Sequence, residues 1–128
     1  YYKQEACGDF GKHCDKYKRG TIDMLILKLL SEEDLYGYEM ATLLNSISNH
    51  EITLNAGNMY PALYRLEDKG YITKRKEKAG KRIELIYYHI TEAGLNELQI
   101  MHKDFQTFVS IVEDVFDYKK ESKAKYTS

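Results

Sequence analysis

Cysteine and long apolar runs are both scarce in this chain of 128 residues. Its two cysteines are too few for the disulfide framework of a small secreted domain. Its longest apolar run, from Met24 to Leu30, is interrupted by Lys28 and is far shorter than the roughly 20 residues that cross a membrane. No targeting segment stands out. We therefore expect a cytoplasmic protein with no membrane span.

Signatures of catalysis are also missing. The sequence contains no recognisable nucleophile–base arrangement, glycine-rich phosphate loop or pair of carboxylates set for acid–base chemistry. We therefore expect neither an enzyme nor a cofactor. Cys7, His13 and Cys14 suggest a metal or redox site, but the two cysteines lack the close spacing of zinc ligands. Free thiols are the favoured interpretation, and a thiol or metal sensor through Cys7 and Cys14 is the alternative.

The net charge is small but unevenly distributed. A formal net charge of -1 argues against a protein that binds nucleic acid through a uniformly basic surface. The segment 71–82, however, holds six cations and one anion, so it carries +5 and the rest of the chain carries -6. A basic patch on an otherwise acidic chain predicts contact with a phosphate backbone at that patch.

The hydrophobic content of the whole chain is 43%, which suffices for one compact domain. Two helices are predicted in the first half of the chain. The first follows Thr21, a possible N-cap, and is apolar on nearly all sides until about Ser31, as a buried helix is. The second follows Asp34, a candidate cap. Its apolar residues recur at the spacing of one helix face: Met40, Leu43, Leu44 and Ile47. Residues 48–54 are expected to form a turn with one short strand.

A third helix and a hairpin form the most informative part of the chain. Asn55 can cap this helix, and Gly70 supplies a left-handed stop. One face carries the core residues Met59, Leu63 and Leu66. The opposite face and its borders carry small, polar and aromatic residues, among them Asn58, Tyr60, Tyr64 and Arg65. Strands predicted at 71–77 and 83–90 enclose a turn at 78–81. These signals predict a helix-turn-helix followed by a β-wing, which is typical of nucleic-acid recognition.

A long helix is predicted from Thr91 to about Lys119. Its apolar stripe includes Leu98, Met101, Phe105, Phe108, Val112 and Phe116. A stripe so wide on a helix of roughly 40 Å exceeds what a domain of this size covers, so we expect pairing with a second copy. The predicted fold is mainly α with a small β-wing. It comprises an N-terminal arm at 1–18, a winged helix-turn-helix at 19–90, a dimerisation helix at 91–119 and a polar tail at 120–128.

Four ordered blocks resemble the PadR family of bacterial transcriptional regulators. They are Arg19–Thr21, Leu35–Glu39, Gly57–Glu67 and Tyr87–Gly94. The resemblance implies a dimeric winged-helix repressor, usually ligand-responsive, that binds an inverted-repeat DNA operator, with a small aromatic or hydrophobic inducer as a further candidate partner. The single C-terminal helix resembles the smaller subfamily, whose multidrug-responsive members hold flat ligands between tryptophans. This chain has no tryptophan, so that contact is not carried over.

The predicted DNA contacts come from three places. On the third helix they are Asn58, Tyr60, Tyr64 and Arg65, which would reach base edges or phosphates. On the hairpin they are Lys76, Lys78, Lys81 and Arg82, which would reach phosphates or the minor groove. Of Tyr36 and Tyr38, one is expected to contact a phosphate and the other to lie in the core.

Two departures from the family pattern limit these contacts. Asn58 stands where the family usually has threonine, and Leu85 and Ile86 stand where it often has arginine or lysine. No phosphate contact is therefore carried to Leu85 or Ile86. The alternatives are an ordinary solvated helix face and hairpin, packing of Tyr60 against the wing, and a winged helix used as a protein-interaction module.

Overall fold

The computed structural model describes residues 16–127. Its elements are α1 (Ile22–Glu32), β1 (Leu35–Tyr36), α2 (Gly37–Ile47), α3 (Ala56–Asp68), β2 (Ile72–Lys78), β3 (Glu84–Ile90), α4 (Glu92–Phe116), a short 3₁₀ helix (Lys120–Ser122) and α5 (Lys123–Tyr126). They fall into two compact units, the first ending at Leu98 and the second beginning at Gln99. The predicted fold class, mainly helical with a small β-wing, is confirmed. Within the described range, no helix combines the length and the apolarity needed to cross a membrane.

Helix α1 is the buried helix that its composition predicts. Its buried residues are Ile22, Met24, Ile26, Leu27 and Leu30. Each such side chain contributes about 1.5–3 kcal/mol when fully buried, so α1 is a central element of the core. Thr21 occupies the N-cap position, but its hydroxyl donates to the Lys18 carbonyl at 3.0 Å rather than capping the helix.

The N-cap of helix α2 lies two residues after the cap that the sequence predicts. Tyr36 takes the N-cap position, and the Glu39 carboxylate accepts from its backbone N–H at 3.2 Å. The prediction of Asp34 as the cap is therefore wrong, because the charged partners of Asp34 lie on the sheet. Of the predicted apolar face, the structure buries Met40 and Leu44 and exposes Leu43 and Ile47.

Helix α3 is held at both ends by predicted residues. Asn55 Oδ1 accepts the N–H of Asn58 at 3.0 Å, and Asn58 Oδ1 accepts the N–H of Asn55 at 2.9 Å, which closes a reciprocal capping box. Gly70 adopts a φ of 79° just after the helix, as its predicted role as a left-handed stop requires. Between these ends the predicted core residues Met59, Leu63 and Leu66 are buried.

The wing belongs to a three-stranded antiparallel sheet in the order β1–β3–β2. β2 and β3 pair from Ile72 opposite Ile90 to Lys78 opposite Glu84, within one residue of the predicted strands. The third strand is β1, whose Leu35 pairs with Tyr88. The prediction of a short strand within residues 48–54 is wrong, because the structure has only turns and irregular backbone there. The sequence does not predict β1, because two residues are too few to show the alternation of apolar and polar side chains that marks a strand.

Helix α4 starts against the turn that ends α3. The Thr91 N–H donates to the Tyr71 carbonyl at 2.9 Å, and the Thr91 hydroxyl donates to the Gly70 carbonyl at 2.7 Å. Gly94 is buried so close to this turn that a Cβ would overlap the Tyr71 carbonyl oxygen. The first turn of α4 is thereby fastened to the end of α3.

The second unit departs from the predicted helix and tail in two ways. Helix α4 ends at Phe116 rather than near Lys119. Part of the predicted polar tail is helical, as the 3₁₀ helix and α5. The rings of Tyr118 and Tyr126 lie 6.3 Å apart, so α5 packs back on the segment that follows α4.

Candidate nucleic-acid interface

The outward side of α3 exposes two tyrosines. Tyr64 is 73% exposed and Tyr60 is 48% exposed. Each phenol combines an apolar ring with a hydroxyl that can donate to a phosphate. Asn58 is half-buried, and beyond its part in the capping box its amide nitrogen donates to the Thr53 carbonyl at 3.0 Å. Both polar atoms of Asn58 thus help to start α3, and its contact with DNA stays a prediction.

Arg65 forms an ion pair with Asp23, a residue that the sequence does not predict as its partner. Its Nε and Nη2 atoms donate to the two carboxylate oxygens of Asp23 on α1, at 3.2 and 2.7 Å. The hydrogen bond to Asp23 raises the pKa of Arg65. The residues lie 42 positions apart, so no local pattern predicts the pair. Contact of Arg65 with DNA stays a prediction, and the structure shows in addition that Arg65 joins α3 to α1.

The six cations of the hairpin divide into two groups. Lys74 and Arg75, at the base of the wing, are paired: Lys74 Nζ lies 3.4 Å from Glu67, and Arg75 Nη1 lies 2.5 Å from Asp34. The other four are exposed and have no acidic partner within residues 16–127: Lys76, Lys78, Lys81 and Arg82. These are the four hairpin residues predicted to contact DNA. Cations that are not already neutralised can release counterions on binding a phosphate, so the usable charge lies toward the tip of the hairpin.

Asp34 ties together the base of the wing. Its carboxylate accepts from Arg75 on β2 and lies 2.8 Å from Nδ1 of His89 on β3. Arg75 also donates from Nε to Glu77 at 2.6 Å, and its guanidinium lies 5.3 Å from the centre of the Tyr87 ring. Burial of the Asp34 carboxyl raises its pKa, but the hydrogen bonds and charges of His89 and Arg75 outweigh burial and leave the pKa lowered. A single carboxylate, just before β1, thus bonds to both other strands of the sheet.

A cleft of about 340 Å³ lies between the start of α2, α3 and β3. Four tyrosines help to line it: Tyr36, Tyr38, Tyr60 and Tyr88. Tyr38 is 74% exposed, whereas Tyr36 is half-buried with its ring edge-on to Tyr87 at a centroid distance of 5.4 Å. Tyr38 thus faces solvent and Tyr36 is partly enclosed, and contact of either residue with a phosphate stays a prediction. Tyr60 shares the cleft with β3, so it lies near the wing and also remains accessible.

Helix α4 exposes a broad apolar surface. Phe116 is 79% exposed, Phe108 is 63% exposed and Phe105 is 41% exposed. The other predicted dimerisation residues are half-buried: Leu98, Met101 and Val112. Several aliphatic residues outside the predicted set are exposed as well: Ile100, Val109, Ile111 and Val115. An apolar surface of this extent marks an interaction site.

The alternative of a metal or thiol sensor concerns residues outside the described part of the chain. Cys7, His13 and Cys14 all precede residue 16, so the structure does not describe them. Among residues 16–127, no group of three or more His, Cys, Asp or Glu side chains is placed to hold a metal ion. The sensor hypothesis stays a prediction.

Comparison with known proteins assigns this architecture to a family. The sequence model of the transcriptional regulator PadR-like family matches residues 26–100, which is more than half of the chain. This chain belongs to the PadR-like family. The family and the absence of an enzymatic role, both predicted from the sequence, are therefore confirmed.

Two relatives, one of them matched both in sequence and in structure, illustrate the extent of the likeness. The negative transcriptional regulator PadR of Bacillus subtilis (strain 168) is 30% identical over 94 residues, which cover 73% of this PadR-like chain and 52% of that protein. A solved transcriptional regulator from Clostridium thermocellum has a TM-score of 0.73 at 26% identity, covering 77% of this chain and 96% of that one. Bacillus subtilis PadR in complex with operator DNA has a TM-score of 0.59 at 28% identity, covering 63% of this chain and 46% of that one. This chain thus spans about half the length of Bacillus subtilis PadR.

Proposed function

We propose that this PadR-like protein is a repressor that binds an inverted-repeat operator as a homodimer and is released by a small aromatic or hydrophobic inducer. The observation that carries the proposal is the combination of an exposed tyrosine face on α3 with four cations on the adjoining wing that have no acidic partner among residues 16–127. Helix α3 would enter the major groove, and the wing would bind the neighbouring backbone or minor groove. Bacillus subtilis PadR, to which this chain is similar, has been solved in complex with operator DNA, which supports a DNA-binding role.

The exposed face of α4 supports the homodimer. Phe108 and Phe116 leave most of their ring surface in water, which a second copy would bury. A dimer with two-fold symmetry places two copies of α3 in equivalent positions, so its operator is an inverted repeat with half-sites roughly 34 Å apart. The same aromatic surface offers an apolar inducer a place to bind. An inducer bound there would change the relative orientation of the two winged helix-turn-helix domains of the dimer.

Replacement of Lys78 and Lys81 by alanine tests the DNA-binding mechanism. We expect the double variant to bind duplex DNA more weakly whatever its sequence, because these cations contact phosphates rather than bases. The slope of log affinity against log salt concentration should fall by about one unit for each lost phosphate contact. Fluorescence anisotropy with a labelled duplex at several salt concentrations measures both quantities.

A matched control separates contact from overall charge. Lys28→Ala combined with Lys103→Ala removes the same two positive charges outside the hairpin, on α1 and α4. The salt slope of this control should equal that of the wild type. An unchanged slope in the wing variant would remove the wing from DNA binding. No binding of the wild type to any duplex at low salt would favour a protein-interaction module instead.

A further inference from the structure

The apolar contacts of α3 place the helix against the core, but they are not themselves directional. Met59, Leu63 and Leu66 bury one face of the helix, and hydrophobic attraction depends on buried area rather than on direction. A rotation of about 20° would move a side-chain tip roughly 6 Å from the axis by about 2 Å. A shift of this size breaks hydrogen bonds to base edges, whose donor–acceptor distances lie within about 2.7–3.2 Å.

A bidentate ion pair adds a directional contact between α3 and α1. The planar guanidinium of Arg65 meets both carboxylate oxygens of Asp23, and this geometry resists rotation as well as separation. The Asp23 side chain is only 23% exposed and lies in the first turn of α1, where the helix dipole stabilises its negative charge. Ile22 and Ile26, on the same helix, are buried, so the carboxylate is carried by a firmly packed element.

We propose that Asp23 and Arg65 form a latch that orients α3 for base recognition, so that both residues govern DNA sequence specificity without touching a base. The inference rests on the DNA-binding function proposed above. Arg65 directly follows Tyr64, the more exposed of the two α3 tyrosines, so fixing the direction of one side chain sets the direction of the other. Asp23 is accordingly a positioning residue on a helix with no predicted DNA contact.

The latch and a direct phosphate contact by Arg65 predict different binding data. The wild-type protein is first used to select its preferred duplex from a random-sequence pool. Affinities for this duplex and for an unrelated duplex of equal length are then measured at several salt concentrations for three variants: Asp23→Asn, Arg65→Gln and the charge exchange Asp23→Arg with Arg65→Asp. The latch predicts that each single variant loses about tenfold in the ratio of the two affinities, the cost of one misplaced base contact.

The remaining readouts separate orientation from charge. The single variants should keep the wild-type salt slope, and the charge exchange should recover most of the lost specificity because it rebuilds the ion pair in reverse. Lys28→Gln is the matched control, since it removes a cation from the exposed pair of Lys28 with Glu32 on α1. Its specificity ratio should equal that of the wild type.

Several outcomes would overturn the latch. A salt slope lowered by about one unit in Arg65→Gln, with Asp23→Asn unchanged, would show that Arg65 binds a phosphate. Tighter binding of Asp23→Asn to both duplexes would show that Asp23 competes with DNA for Arg65. If a single variant fails to fold by circular dichroism, the exchange variant decides: recovered specificity supports the latch and lost specificity refutes it. If the wild type enriches no duplex, the DNA-binding function itself fails, whereas enrichment with unchanged ratios in all variants refutes the latch alone.

Discussion

Position 94 has no room for a side chain. A Cβ at Gly94 would overlap the Tyr71 carbonyl oxygen and come within 2.7 Å of Ile90 Cγ1. Gly94→Ala must therefore displace the first turn of α4 from the turn after α3, at the expense of the Thr91 hydrogen bonds. We expect the free energy of unfolding to fall by about 1–3 kcal/mol, the usual cost of overpacking. Urea denaturation followed by circular dichroism measures the change.

Gly20→Ala provides the control for this substitution. A Cβ at Gly20 would meet nothing within 4 Å, so the change in unfolding free energy should stay within about 0.5 kcal/mol. Equal stability of the Gly94→Ala variant and the wild type would contradict the close approach of α4 to Tyr71.

Single residues were predictable from the sequence where their partners are near in the chain. Asn55 and Gly70 act at the ends of one helix, so their roles follow from residue type and position. Asp23, by contrast, meets Arg65 only after the chain has folded, because 42 positions separate them. The sequence also does not predict which cations of the hairpin form ion pairs, because their partners Glu67 and Asp34 belong to other parts of the chain.

The sheet contains a network of charged side chains around Asp34, which should make the free energy of unfolding depend on pH. The pKa of Asp34 is lowered in the folded state, so the ionised carboxylate favours folding. This contribution is fully present above the unfolded-state pKa of about 3.9 and is lost as pH falls through the lower folded-state pKa. Asp34→Asn should therefore be less stable than the wild type at pH 7, and the difference should narrow as pH falls below about 4. Urea unfolding of both proteins from pH 7 to pH 3 gives the comparison.

Asp68→Asn is a suitable control for the network. Asp68 is an exposed carboxylate at the end of α3 and makes no ion pair within the described residues. Its replacement should leave the pH dependence of stability close to that of the wild type. A stability difference between Asp34→Asn and the wild type that stays constant from pH 7 to pH 3 would argue against the carboxylate as its source.

The longer elements were easier to predict than the short one. Helix α1 is marked by a long apolar segment, α3 by clear helical periodicity and the two wing strands by the turn between them, so the sequence places each within a few residues. Strand β1 has two residues and takes its conformation from Tyr87 and Tyr88 of β3, with which it pairs. The sequence predicts Asp34 as a helix cap because aspartate is a good cap in general. Its actual partners come from β2 and β3, which the local sequence cannot indicate.

For the molecule as a whole, the exposed stripe on α4 predicts a dimer that one charge should disrupt. Phe108 is 63% exposed, and we expect its ring to be buried against a second copy. In Phe108→Asp a carboxylate would have to be buried without a partner, which costs several kcal/mol and should dissociate the dimer at micromolar concentration. Sedimentation velocity reports the resulting mass, and circular dichroism reports whether the monomer remains folded.

Ser110→Asp adds the same charge to the opposite side of α4 and should leave the dimer intact. Two residues along a helix correspond to a rotation of about 200°, so Ser110 points away from the stripe of Phe108. A Phe108→Asp protein that still sediments as a dimer would place the interface elsewhere. Dissociation of both variants would point instead to a general destabilisation of α4.

The junction between α3 and α4 is made mostly of main-chain atoms. The Tyr71 N–H donates to Leu66, and the Tyr71 carbonyl accepts from Thr91, both at 2.9 Å. Every residue except proline supplies both groups, so most substitutions would leave these hydrogen bonds in place. Side chains on the outward side of α3 can therefore be exchanged for others, and the preferred operator altered, while the joint is inherited intact. The protein can thus acquire new target genes without a change in the junction between α3 and α4.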